Sequence, residues 1–100
     1  MNRDISTREA MQALKNNPGI KLVDVRTANE HMRGHIADST NIPLSYIKSI
    51  INKIPDKKTC IFVYCKSGGR AYEAKKILMA MGYTDVTNIG GIEGWRLSGN

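Results

Sequence analysis

The sequence predicts an α/β fold, an open parallel sheet of about five short strands covered by helices on both faces. Two patterns lead there. Short apolar runs rich in branched residues alternate with segments of helical periodicity, the order that gives parallel strands joined by helical crossovers. The most apolar run, Cys60-Ile61-Phe62-Val63-Tyr64-Cys65, has no polar alternation, as suits a central strand covered on both sides. Ligands of such sheets bind beyond the carboxyl ends of the strands, so a site is expected where strands end.

Each element has a local cause. Ser6-Thr7-Arg8-Glu9 reads as a capping box opening a helix that carries Ala10, Met11, Ala13 and Leu14 and ends by Asn16-Asn17-Pro18-Gly19. Ile20 to Val25 is a buried strand. Thr27 to Arg33 forms a brief helix stopped by Gly34, and Thr40-Asn41-Ile42-Pro43 is extended. Ser45 is expected to cap a helix through about Lys53 that turns Ile47, Ile50, Ile51 and Ile54 inward. After Ser67-Gly68-Gly69 breaks the apolar strand, a helix begins at Arg70, with Ala71, Ala74, Ile77, Leu78 and Met81 on its apolar side and Gly82 as its stop. Asp85 to Ile89 is the last strand, Gly90-Gly91 a turn, and Ile92 to Leu97 a terminal helical turn or two.

Length and composition bound what the chain can be. One hundred residues make one domain, read here as residues 1–100. With 41% hydrophobic and 24% charged residues the chain is not a disordered tail. No apolar run reaches the roughly 18 residues of a membrane span, and the charged start of the sequence lacks a signal core, so the expected location is cytoplasmic, with no membrane partner. Fifteen basic against nine acidic residues give +6, which favours anionic partners. The basic residues are scattered and not interleaved with aromatics, so no nucleic-acid partner is expected, whereas a small anionic substrate remains open. The chain is read as a monomer. Cys60 and Cys65 fit neither a Cys-x-x-Cys redox pair nor a zinc knuckle.

The chemistry is expected at Cys65, which ends the most apolar strand and precedes Lys66-Ser67-Gly68-Gly69-Arg70 and a helix. In such a strand, loop and helix, backbone N–H groups can turn inward around the sulfur and the helix adds its positive end. A thiol there is expected to ionise readily and act as a nucleophile. The paired glycines let the backbone approach closely, and Lys66 and Arg70 add positive charge at the rim. Cys60, at the opposite end of the strand and roughly 16 Å away in an extended chain, reads as a core residue.

At these residues the chain resembles the rhodanese-like sulfurtransferases. Leu22-Val23-Asp24-Val25-Arg26, Glu30, Gly34-His35-Ile36 and Asn41-Ile42-Pro43-Leu44 are similar to that family's amino-terminal signature. Cys65-Lys66-Ser67-Gly68-Gly69-Arg70-Ala71 is similar to its active-site loop, and Gly90-Gly91-Ile92-Glu93-Gly94-Trp95 to its carboxy-terminal motif. The resemblance implies that Cys65 is the nucleophile that carries a persulfide. It also implies that the backbone of residues 66 to 70 (Lys66, Ser67, Gly68, Gly69 and Arg70) is the substrate-binding cradle, with Arg70 closing the loop and helping to hold an anionic donor. Lys66 beside the cysteine is similar to members that use thiosulfate, whereas mercaptopyruvate-using members have a more neutral loop. The implied partners are a small anionic sulfur donor, a thiol or cyanide acceptor, and a protein acceptor as an alternative, with no metal or organic cofactor.

Other residues have structural readings. The resemblance pairs Arg26 with Glu30 as an ion pair that orders the loop. His31 and His35 have the i, i+4 spacing of metal ligands, but Gly34 interrupts the helix and no third ligand is evident; the resemblance implies that His35, in a Gly-His-Ile turn, bonds to backbone. Trp95 reads as core, and Tyr64 and Tyr72 flank the loop. Two other functions stand beside sulfur transfer: a persulfide carrier or binding module acting with a dedicated partner protein, and an oxyanion phosphatase or arsenate reductase of the same fold. The last group has a loop one residue longer, whereas four residues separate Cys65 from Arg70.

Overall fold

The computed structural model describes residues 5–92 and 95. Its elements run α1 (Thr7–Asn16), β1 (Lys21–Asp24), α2 (Ala28–Arg33), β2 (Thr40–Asn41), a 3-10 helix (Leu44–Ser49), α3 (Ile50–Lys53), β3 (Ile61–Cys65), α4 (Gly69–Ala80) and β4 (Val86–Gly91). Among the described residues the sheet has four strands in the order β2-β1-β3-β4, all paired in parallel. This is the expected α/β fold.

Side-chain alternation along the central strands builds two cores. Val23, Val25, Ile61, Val63 and Cys65 face one side, where Ala71, Ala74 and Leu78 of α4 join Ile47, Ile50 and Ile54. Leu22, Phe62 and Tyr64 face the other, against Ala10 of α1, with Ile36 and Ile89. All five β3 residues are buried, which explains the unbroken apolar run. Cys65 therefore projects toward α4.

Local signals account for several boundaries. The Ser6 and Glu9 side chains cap each other's backbone N–H at the start of α1, and Thr27 and Glu30 do the same at α2. Three expectations are corrected. Ser45 caps nothing: Pro43 occupies the cap position, without a side-chain bond, and the segment winds as a 3-10 helix kinked at Tyr46. Ile51 is exposed, because in the single turn of α3 only Ile50 and Ile54, four apart, face inward. Gly90 and Gly91 lie within β4 and not in a turn after it. The expected helical turn at 92–97 falls mostly outside the described residues. Trp95 is half-buried against the α1-side core. Among the described residues no helix is long and apolar enough to cross a membrane.

Candidate active site

β3 delivers Cys65 to the carboxyl edge of the sheet, with the residue 1% exposed. The chain then turns through Lys66 and Ser67 to Gly68, whose φ of +100° is a left-handed conformation that few residues other than glycine adopt. Gly68 is the N-cap of α4 and offers no side-chain oxygen to the free amides of the first turn. The sulfur takes that place: Gly68 N–H donates to Cys65 Sγ at 2.9 Å and Ala71 N–H at 3.4 Å. Ala71 is the third helical residue, the one whose N–H a capping side chain usually satisfies. Sγ thus lies at the positive end of a 12-residue helix.

β4 and the residue just beyond it hold the loop from the side. Ile92 N–H donates to the Lys66 carbonyl at 3.2 Å, and Asn88 Nδ2 donates to the Gly68 carbonyl at 3.3 Å. A Cβ on Gly91 would collide with the Lys66 carbonyl oxygen and with Ser67 Cα, so β4 must carry glycine where the loop crosses it.

Arg70 turns toward α2. Its Nη1 and Nη2 donate to Glu30 Oε1 and Oε2 at 2.7 and 2.9 Å. Arg70 holds the Glu30 carboxyl well below the usual carboxylate range, at about 2, against a weaker upward push from burial. Arg26, expected to pair with Glu30, pairs instead with Asp24: its Nη2 lies 2.7 Å from Oδ2 and its Nε 3.0 Å from Oδ1. Asp24 Oδ1 also accepts from the Arg26 backbone N–H at 2.9 Å, so the chain turns just past β1 around this carboxylate and brings the Arg26 side chain onto it, while Glu30 on α2 lies against the loop.

Asp24 is fully buried and also accepts from His31 Nδ1 at 2.8 Å and Tyr64 Oη at 3.1 Å. Burial pushes its pKa up, but the bonds from Arg26 and His31 outweigh that and leave it lowered. His35 Nδ1 donates to the His31 carbonyl at 2.8 Å, as expected of a backbone-bonded histidine, and the two rings stack 3.8 Å apart. Their Nδ1 atoms are thus directed at protein oxygens.

Lys66, Ser67 and Gly69 are exposed on the rim. Cys60 is half-buried at the far end of β3 beside the α1-side core, where burial, with Asp85 nearby, pushes its thiol up to about 11. Two surface cavities, of about 400 Å³ between α1 and the β2 edge and about 440 Å³ between the 3-10 helix and α4, have no lining residue from Cys65 through Arg70. Sequence reasoning misses Glu30 as the partner of Arg70, the Ala71 amide and Asn88. The position of Ala71 inside the loop-to-helix junction could have revealed its amide; no local signal marks Asn88.

The rhodanese-like domain model matches residues 7–98. The thiosulfate sulfurtransferase PspE of Escherichia coli is 40% identical over 72 residues, spanning 71% of this chain and 69% of its own. A sulfurtransferase of Allochromatium vinosum is 36% identical over 100 residues, 99% of this chain and 92% of its own. Among solved structures, a rhodanese from E. coli described with anions superposes with a TM-score of 0.76 at 34% identity, covering 81% of this chain and 99% of that one. With a family match over most of its length and a loop that wraps a cysteine at the carboxyl end of a parallel strand, the chain belongs to the rhodanese-like domain family.

Proposed function

We propose that the chain, acting as a single domain over residues 1–100, is a sulfurtransferase that moves a sulfane sulfur from thiosulfate or a similar donor to cyanide or a thiol through a persulfide on Cys65. The observation that carries this reading is the convergence of the Gly68 and Ala71 N–H groups on Cys65 Sγ. Donors fixed in advance where negative charge resides need no reorganisation during reaction.

The steps balance as a double displacement. The Cys65 thiolate attacks the outer sulfur of thiosulfate, a new S–S bond forms, the donor's own S–S bond breaks, and sulfite leaves with the electron pair. The acceptor nucleophile then attacks the outer sulfur of the persulfide, giving thiocyanate from cyanide or a persulfide from a thiol, and the electron pair of the broken bond restores the Cys65 thiolate. The same amides that face the thiolate stabilise charge as it returns to Sγ. Lys66 on the rim attracts the dianionic donor. The sulfurtransferase names of the relatives support the same reading. The four residues between Cys65 and Arg70 favour a sulfur atom over a phosphoryl group, whose oxygens need a wider arc.

Incubation with thiosulfate followed by intact-mass measurement and peptide mapping tests this. One added sulfur atom at Cys65 is expected, absent in Cys65→Ser and retained in Cys60→Ser, with negligible hydrolysis of an aryl phosphate. Sulfur found only at Cys60 or nowhere overturns the proposal, as does robust phosphatase activity without persulfide.

A further inference from the structure

We infer that Asn88 is a positioning residue for the sulfur cradle: together with the Tyr72 N–H of α4, its side-chain amide holds the Gly68 carbonyl and thereby the backbone turn at Gly68 whose N–H points at Cys65 Sγ. The inference rests on the reading of Cys65 as the sulfur carrier, but the geometry behind it is separate. β4 slips against β3 at this point, with Val63 opposite Asn88 and Cys65 opposite Gly91. Two steps along β3 thus match three along β4, and an extra residue of this kind bends the strand and re-aims a side chain. The re-aimed side chain is Asn88, half-buried and directed at the loop.

Its two amide atoms have different tasks. Oδ1 accepts from Gly90 N–H at 2.7 Å, and Nδ2 donates to the Gly68 carbonyl at 3.3 Å. Because a backbone N–H can only donate, the Gly90 contact settles which end of the amide carries oxygen, and the nitrogen must face Gly68. Gly68 also donates its own N–H to Sγ at 2.9 Å. One residue therefore has its carbonyl held from β4 by Asn88 and from α4 by Tyr72, and its N–H given to the sulfur. Gly68 has a left-handed φ of +100° and no side chain to resist rotation; its carbonyl also accepts from Tyr72 N–H at 2.9 Å in the first turn of α4, and Asn88 adds the restraint that ties this carbonyl to β4. The restraint from Ile92, just beyond β4, whose N–H donates to the Lys66 carbonyl at 3.2 Å, acts two residues earlier and does not reach the Gly68 carbonyl.

The discriminating variant is Asn88→Asp, which keeps the shape and the acceptor for Gly90 but replaces the donor facing Gly68 with an oxygen. Asn88→Ala removes both bonds. With thiosulfate and cyanide, both variants are expected to lose about tenfold in kcat with the thiosulfate KM within about twofold of wild type, the pattern of a misplaced stabilising donor. In ¹⁵N–¹H spectra the Gly68 amide resonance should move in both, reporting a changed N–H···S bond. A merely structural role would lower the folded fraction and leave the Gly68 resonance of folded molecules in place. If Asn88→Ala fails to fold, Asn88→Asp decides, since its anchor to Gly90 survives. Asn88→Asp with wild-type kcat and an unmoved Gly68 resonance overturns the inference. If wild type forms no persulfide, the proposed function fails and the Gly68 resonance alone decides this one: movement in Asn88→Asp supports it and no movement overturns it.

Discussion

Arg70, at the end of the cysteine loop, and Glu30, on α2, form a two-point ion pair with contacts of 2.7 and 2.9 Å across 40 positions of sequence. The guanidinium fork matches the carboxylate with both terminal nitrogens, so Arg70 braces the loop against α2. Under the proposed sulfur transfer, positive charge for an anionic donor would then come chiefly from Lys66 on the rim and from the amides of the α4 amino terminus.

Glu30→Gln should remove that brace. The pair is partly exposed, with side chains 36% and 27% accessible, so the expected loss is modest, about 1 kcal/mol, or roughly 4 °C in Tm for a domain of this size. The Glu30 carboxyl lies at about 2 when folded, below its ordinary 4.5. Its stabilising effect is therefore complete above about pH 4.5 and is lost as pH falls toward 2. Thermal melts should show the wild-type advantage shrinking through that window, and an advantage that persists undiminished at pH 2 contradicts the assignment. If sulfur transfer proceeds at Cys65, kcat should also fall, since the loop loses its tie to α2.

Lys66→Ala should raise the thiosulfate KM by roughly threefold, leave kcat nearly unchanged and flatten the dependence of KM on ionic strength, because one attractive charge for a dianion is gone. Initial rates over a salt series measure this. Unchanged KM and salt slope would reduce Lys66 to surface charge.

Arg26→Met should be far more damaging than either. It leaves the fully buried Asp24 carboxylate without its cation, and breaking a buried pair from one side costs about 3–5 kcal/mol, a large share of a small domain's stability. Asp24 is held below its ordinary value against the upward push of burial, so its pair stabilises the native chain at neutral pH and weakens as pH falls. The deficit of the variant should accordingly narrow in acid, where protonation neutralises the stranded carboxyl. Urea titrations at neutral and acid pH check both the size and the direction.

Features that depend on neighbours along the chain are legible in the residues themselves. The Ser6–Glu9 capping box, the apolar strand up to Cys65, the glycines that follow and the helix beyond are all set by interactions within a few residues, and each lies where the pattern puts it. Ser45 and Ile51 mislead because a capping residue and an apolar side chain do not reveal whether the chain winds as a 3-10 helix or which side of a single turn meets the core. Partners across the sheet are not legible at all. Glu30 has arginines available at Arg26 and Arg70, and only the docking of α2 beside the loop decides for Arg70 and leaves Arg26 to Asp24. Asn88 looks like an ordinary strand residue until the slip between β3 and β4 turns its amide onto Gly68. The sequence by itself determined the cysteine at the strand end and its glycine loop, because strand end, turn and helix start are local. The tertiary structure decided which side chains hold that loop in place, because charge pairing and hydrogen bonding depend on distances of a few ångströms between elements that are far apart along the chain.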